Sequence, residues 1–389
     1  MALVVLAALL AGCSVPGAGD GEAPSPAPRA GGAPAVAAPA PTPPGGPIIG
    51  ATANTVRLGG AGAVQDAAAV ARAVFPGTSA ASRPGAVVVV DQRDWPGALA
   101  AAALAAPPAR ATVLLSAGGV LPPASREALT AVRPTGAGAL GGQQVLHVGA
   151  AAPVPDGVRA ARVPGTEAGD PAARAAAVDV FASGLRPAPS RDVLVVSGDD
   201  PAWGMPAGAW AARSGHAVLL TGRDALPTPT RERIEARRRP RVTILGPRRA
   251  VSSAVERELR ALGPVRRIAG ASPVENAIAL ARRRRGAVGW GIAVPGANVT
   301  VASAGRPLDG AAAAALGANG VFAPLLLADR ADRLPAALEG YLLDVQPGYE
   351  GDPGDAVYNR VWILGDESAL SARAQARLDE VAALVPVGP

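Results

Sequence analysis

The sequence predicts an α/β fold of three tandem βαβ modules, each with a parallel sheet. Three observations lead there. The first is a repeat: Val56-Arg57-Leu58-Gly59-Gly60 returns as Ala161-Arg162-Val163-Pro164-Gly165 and again as Arg266-Arg267-Ile268-Ala269-Gly270. The marker arginines stand 105 residues apart both times, and a fixed period of this kind marks a structural unit copied along the chain. The second is the character of the strands, which are short, rich in Val and Leu, and not alternating, as strands buried on both faces are. The third is their alternation with Ala-rich helical stretches, which places helices outside a parallel sheet.

Taken in order, each copy opens on its marker and continues into an Ala-rich helix. A buried strand follows at 87–90, 193–196 and 299–301, then a turn and a second Ala-rich helix at 98–106, 207–212 and 311–315. Next come Val113-Leu114-Leu115, Val218-Leu219-Leu220 and Leu325-Leu326-Leu327. The paired Leu-Pro beyond each lies 64, 64 and 67 residues after its marker arginine. A closing strand ends each unit at 146–149, 243–246 and 361–365. In the helix after Gly246, Val251, Val255, Leu259 and Leu262 share one face, with Glu256, Arg257, Glu258 and Arg260 outside it. Ser253 and Glu256 have capping-box spacing there. Leu370, Ala374, Leu378 and Val381 occupy the same place in the third copy, which also carries an extra loop at 346–359. The modules therefore read as 53–157, 158–262 and 263–389.

Ahead of them lie two segments of another kind. Residues 3–10 form an apolar run too short to span a bilayer, ending in Leu10-Ala11-Gly12-Cys13. This resembles a bacterial lipobox, which implies a signal peptide over 1–13 and lipidation of Cys13, the single cysteine. Residues 14–50 hold ten Pro and eight Gly; with so few large apolar side chains, 14–52 reads as a disordered tether. The resulting localisation is the outer face of the cytoplasmic membrane, reaching into the cell wall.

Composition narrows the class further. Among 389 residues there are 48 Gly and 40 Pro, yet 49% are hydrophobic, enough to build cores and so to exclude disorder throughout. Glycine shows no three-residue period, which excludes collagen. All 37 basic residues are Arg, and the net charge is +6. Residues 231–285 hold 16 Arg against 5 Glu, a local field that favours an anionic partner. The candidate contacts are Arg237, Arg238, Arg239 and Arg241; Arg248 and Arg249; Arg266 and Arg267; and Arg282, Arg283, Arg284 and Arg285. Guanidinium forks suit phosphate and carboxylate oxygens. A second set of candidates lies at strand carboxyl ends, where open α/β sheets place ligands: Asp94, Asp199, Asp200, Arg306 and Asp309.

Other chemistries find little support. Gly136-Ala137-Gly138-Ala139-Leu140-Gly141 matches a dinucleotide fingerprint in form, but it follows no strand and precedes one. His147 and His216 stand in different repeats and read as structural residues, so no metal is expected. No cofactor and no catalytic constellation is expected either. With 3% aromatics, base stacking has few residues to use, and no nucleic-acid partner is expected.

The ordered markers resemble the bacterial cell-wall-binding repeat 2 family. The second copy is nearest, through Val193 to Val196, Ser197-Gly198-Asp199-Asp200, Ala217-Val218-Leu219-Leu220-Thr221, Leu226-Pro227, Thr243-Ile244-Leu245-Gly246 and Ala250-Val251-Ser252. The family's Asp-Arg-Tyr after the first Gly has no counterpart here. The Asp of its D-A-L helix survives only as Asp309, with Gly97 and Ala207 at the matching places. The resemblance covers about residues 54–386. It implies a non-catalytic, Rossmann-like module in three copies around a pseudo-threefold axis, holding secreted proteins to an anionic wall polymer. On this reading weak sites combine through effective concentration. The alternatives are an extracytoplasmic small-ligand receptor and a scaffold for a protein partner.

Overall fold

The computed structural model describes residues 48–387 except residue 168. The expected signal sequence, Cys13 and most of the expected tether lie outside the described residues. The last part of that tether is a strand: Ile48–Ala51 (β1) pairs antiparallel with Thr55–Leu58 (β2). Pro/Gly content set the boundary at 52, whereas the chain joins a sheet edge from residue 48 on.

The three expected sheets are present. The first carries Thr112–Ser116 (β4), Val87–Asp91 (β3), Val145–Val148 (β5) and Ala160–Arg162 (β6), in that order and all parallel. The second carries Ala217–Thr221 (β8), Asp192–Ser197 (β7), Arg241–Leu245 (β9) and Val265–Ile268 (β10), also parallel. In the third, Leu325–Ala328 (β12), Asn298–Ser303 (β11) and Arg360–Leu364 (β14) are followed by β2 and then β1. The extra loop of the third unit adds Gly348–Tyr349 (β13), which pairs with Val385–Pro386 (β15) near the chain's end.

The marker strands sit one sheet away from where the repeat frame puts them. Each closes the sheet of the preceding copy: β6 joins the first sheet, β10 the second, and β2, the first marker strand in the chain, completes the third. The expected cuts at 158 and 263 therefore fall inside sheets. The helix after each marker goes the other way. Ala63–Val74 (α1) packs on β4 and on Pro123–Val132 (α3). Pro171–Gly184 (α4) packs on β8 and Thr228–Ala236 (α7), and Pro273–Arg282 (α9) on β12 and Ala336–Asp344 (α12). A strand held by one sheet and a helix held by the next bind the three units into a closed ring.

The second Ala-rich helices meet at the centre. They are Trp95–Ala101 (α2); Pro201–Gly204 (α5) with Pro206–Ser214 (α6); and Asp309–Ala312 (α10) with Ala314–Gly317 (α11). Helices α2, α6 and α10 touch one another pairwise, the packing a threefold arrangement requires. Small residues permit it: a Cβ on Gly208 would collide with the carbonyl oxygen of Gly310, and one on Gly317 with that of Ala209. The alanines of 98–106 are buried against this centre.

Two of the three marker arginines hold the ends of the strands beside them. Arg57 is buried and donates to the carbonyls of Gly365 (3.0 Å), Asp366 (2.9 Å) and Leu370 (2.7 Å) and to Gln375 Oε1 (2.9 Å). Arg267 donates to the Gly246 carbonyl at 2.7 Å and to Glu256 Oε2 at 2.7 Å. These carbonyls lie just past the closing strand, where buried acceptors need donors. Arg162 is exposed, and its one ion pair among the described residues is with Glu167, at 3.7 Å.

The outer helices are Ser253–Leu262 (α8) and Ala372–Val381 (α13). Leu370, Ala374, Leu378 and Val381 are buried as the periodicity requires. In α8, Val255 and Leu259 are buried, but so is Glu256, which the pattern placed outside. Its carboxylate is taken by Arg267 and Arg260, and so the expected capping box with Ser253 does not form. Ser252 is the N-cap, and its hydroxyl finds no partner among the described residues.

Candidate functional site

The carboxyl-end turns are built alike, three residues beyond the first strand of each unit. In the first, Asp94 caps α2 by accepting from the Gly97 amide at 3.0 Å and pairs with Arg174 of α4 at 2.8 Å. In the second, Asp200 caps α5 through the Ala202 amide at 3.2 Å, and Asp199 accepts from the Arg223 amide at 2.7 Å. Arg249 covers the Trp203 ring at 4.8 Å from its centre and donates to the Ala271 carbonyl. In the third the charges are exchanged: Arg306 pairs with Asp66 of α1 at 3.2 Å and donates to the Ala61 carbonyl at 2.8 Å. The first and third turns thus clasp a helix from the neighbouring unit, whereas the bonds of Asp199 and Asp200 stay within the second. Clefts of about 510 and 480 Å³ remain beside the first two.

Asp309 is not a turn residue available to a ligand. It begins α10 in the central helix cluster and is fully buried. Neither of its oxygens meets a described donor, and the carboxyl of Asp66, also fully buried, is its charged neighbour. Burial first, and the Asp66 charge second, hold the Asp309 carboxyl well above the usual range. Asp66 is pushed up to about 6, chiefly by burial, although the Gly60 amide and Arg306 favour its charged form.

The arginine segment divides sharply. Seven of its sixteen arginines are ion-paired: Arg231 with Glu258, Arg233 and Arg237 with Asp179, Arg241 with Asp192, Arg260 and Arg267 with Glu256, and Arg282 with Asp344. Arg237 also donates to the Ser190 carbonyl at 2.6 Å, so it holds α7 to α4. Arg282 also covers the Tyr341 ring at 4.9 Å. Arg237, Arg241, Arg267 and Arg282 are therefore engaged within the fold, and Arg249 is stacked. Arg238, Arg239, Arg248, Arg266, Arg283, Arg284 and Arg285 have no carboxylate at ion-pair distance among the described residues, and all but the half-buried Arg283 are exposed.

Three of these seven converge. Arg266, Arg283 and Arg285 line a cavity of about 520 Å³ with Arg241, Asp192 and the loop Gly286-Ala287-Val288. It lies at the amino ends of β7, β9 and β10, opposite the end that usually receives ligands. Arg241 donates to Asp192 Oδ1 at 2.8 Å and also reaches Oδ2. Burial works to raise the Asp192 carboxyl, but these bonds hold it below the ordinary carboxylate range.

Both histidines are buried. Desolvation brings His216 down to about 4, and its Nδ1 accepts from the Trp210 indole at 3.2 Å. Burial lowers His147 as well. The carboxylates Asp66, Asp179, Asp192 and Glu256 organise the arginines; the first three escaped the sequence reading, which placed Glu256 on the solvent face. A single acid inside an apolar helical stretch, as at Val178-Asp179-Val180, was the available signal.

No protein-family model and no curated protein matches the sequence. Solved structures do match its fold. Cwp8 from Clostridium difficile superposes with a TM-score of 0.60 at 18% identity, covering 85% of this chain and 52% of its own. Cwp6 from the same organism gives 0.66 at 15% identity, covering 85% and 47%. The chain spans about half the length of these two proteins.

Proposed function

We propose that this chain is a non-catalytic, cell-surface wall-binding protein that captures an anionic wall polymer, held to the membrane by a lipid on Cys13. The observation that carries the reading is the surplus of exposed guanidinium groups around the second sheet that have no carboxylate at ion-pair distance among the described residues. Such groups bind phosphate or carboxylate oxygens at a surface open to a long chain. The shared fold supports the reading, since Cwp8 and Cwp6 are cell wall proteins.

The test is co-sedimentation of the full chain with purified sacculi, before and after removal of their anionic polymers, over a salt series. Binding is expected to disappear on stripping. It should also weaken on the order of tenfold as the screening length falls from about 30 to about 8 Å between 0.01 and 0.15 M salt. Binding that survives stripping, or no binding at all, rejects the reading. The cleft beside Asp199 and Asp200 favours a second reading, a small-ligand receptor, which requires saturable and salt-insensitive binding there.

A further inference from the structure

We propose that the cavity at the amino ends of β7, β9 and β10 is a phosphate site, which binds the phosphomonoester or phosphodiester groups of the wall polymer. This rests on the wall-binding reading and locates its anion.

Three features of the cavity lead there. Its only acid is Asp192, already satisfied by two bonds from Arg241, so Arg266, Arg283 and Arg285 face one space with their charge unbalanced. Like charges gathered in this way repel one another, and an anion between them removes that cost. The arrangement is also built rather than loose. Arg266 Nη1 lies against Gly286, where a Cβ would come within 2.9 Å of it, and Gly286 has a φ of +93°, which glycine adopts readily. The loop thus carries a guanidinium across its own backbone. Finally, among the described residues the amides of Gly286, Ala287 and Val288 donate to no backbone acceptor, and all three residues line the cavity.

Several guanidinium forks with peptide N–H groups match the oxygens of a phosphate. A volume of about 520 Å³ leaves room for flanking sugar or polyol. The site occurs at the second sheet and not at the corresponding place in the other two, because Val56 and Ala161 stand where Arg266 does.

Calorimetric titration of the full chain at constant ionic strength tests this, with inorganic phosphate as the probe, then poly(glycerol phosphate) and polygalacturonate as phosphate and carboxylate polymers. The double variant Arg266→Ala/Arg285→Ala is expected to bind phosphate and poly(glycerol phosphate) at least about tenfold more weakly, the loss of two charge-assisted contacts. Arg257→Ala/Arg373→Ala, with the same charge change outside the cavity, should bind as the parent does. Both positions in each variant are exposed, and the melting temperature checks that folding is unchanged. The milder Arg266→Lys/Arg285→Lys keeps the charge and should recover only part of the affinity. Equal losses in the two alanine variants, or a preference for polygalacturonate, overturn the proposal. Sacculus sedimentation separates the two readings. A cavity variant blind to phosphate that still sediments like the parent overturns the assignment of the polymer to this cavity and leaves wall binding standing. Phosphate binding without sedimentation supports the cavity as a phosphate site and rejects wall capture.

Discussion

Replacing Arg57 by Ala is expected to destabilise the folded chain by roughly 2–4 kcal/mol, since a hydrogen bond to a charged group contributes about 1.5–3 kcal/mol and the buried acceptors left behind go unsatisfied. The guanidinium makes four hydrogen bonds, and the truncated side chain leaves the carbonyls of Gly365, Asp366 and Leu370 facing a void. Burial already depresses the Arg57 guanidinium below its ordinary value, so these bonds are made without competing water. The loss falls at the seam where the first marker strand closes the third sheet. Arg162→Ala, the same marker in the second copy, should cost less than about 1 kcal/mol, because its one ion pair is long and exposed. Chemical denaturation of both variants settles the matter. Similar midpoints would mean that the marker has one role in all copies and that the buried clamp contributes little.

The second large effect is a dependence of stability on pH, centred on Asp66 and Asp309. Both have folded-state values above those of the unfolded chain, with Asp66 near 6. Their contribution to stability is therefore fully present below about pH 4, the ordinary carboxylate value, and is lost as pH rises through 6 and beyond. For Asp66 alone the loss approaches roughly 2–3 kcal/mol. Arg306 opposes it by favouring the ionised form, and Asp366 adds a further negative charge. Asp309→Asn keeps the shape, removes one of the two charges, and supplies an amide that can donate to Asp66. Denaturation midpoints at pH 4.5 and pH 8 should show the variant close to the parent at the lower pH and clearly more stable at the higher. Parallel stability curves would show that the two carboxyls do not share a proton.

Part of the site was legible in the sequence. The excess of arginine over 231–285 is a matter of counting, and Arg266, Arg283 and Arg285 stood among the candidates from the start. What counting could not do was divide them. Arg237 and Arg266 are alike in sequence, yet Arg237 is held by Asp179, 58 residues away, while Arg266 has no such partner. Pairing of that kind depends on which helices lie side by side. The same limit applies to Glu256: helical periodicity assigned it to solvent, but the marker strand delivers Arg267 beneath the helix and makes its burial tolerable. Asp309 shows the converse, since its position in a strand-to-helix turn suggested a ligand contact and the central helix packing enclosed it.

The fold class and the number of units were determined by the sequence itself. Buried parallel strands must be apolar on both faces, the helices between them must present a small apolar face, and three copies at one spacing must form three similar units. The phase of the repeat was decided only by the tertiary structure. A periodic pattern is unchanged by a shift of its frame, so spacing alone cannot say whether a marker strand pairs with the sheet behind it or ahead of it. The pairing of β2 with β14 resolves this, because a ring closes only if the first marker strand returns to the last sheet. Closure buries Arg57 and sets Asp66 against Asp309, leaving the remaining arginines of the second unit on its outer surface.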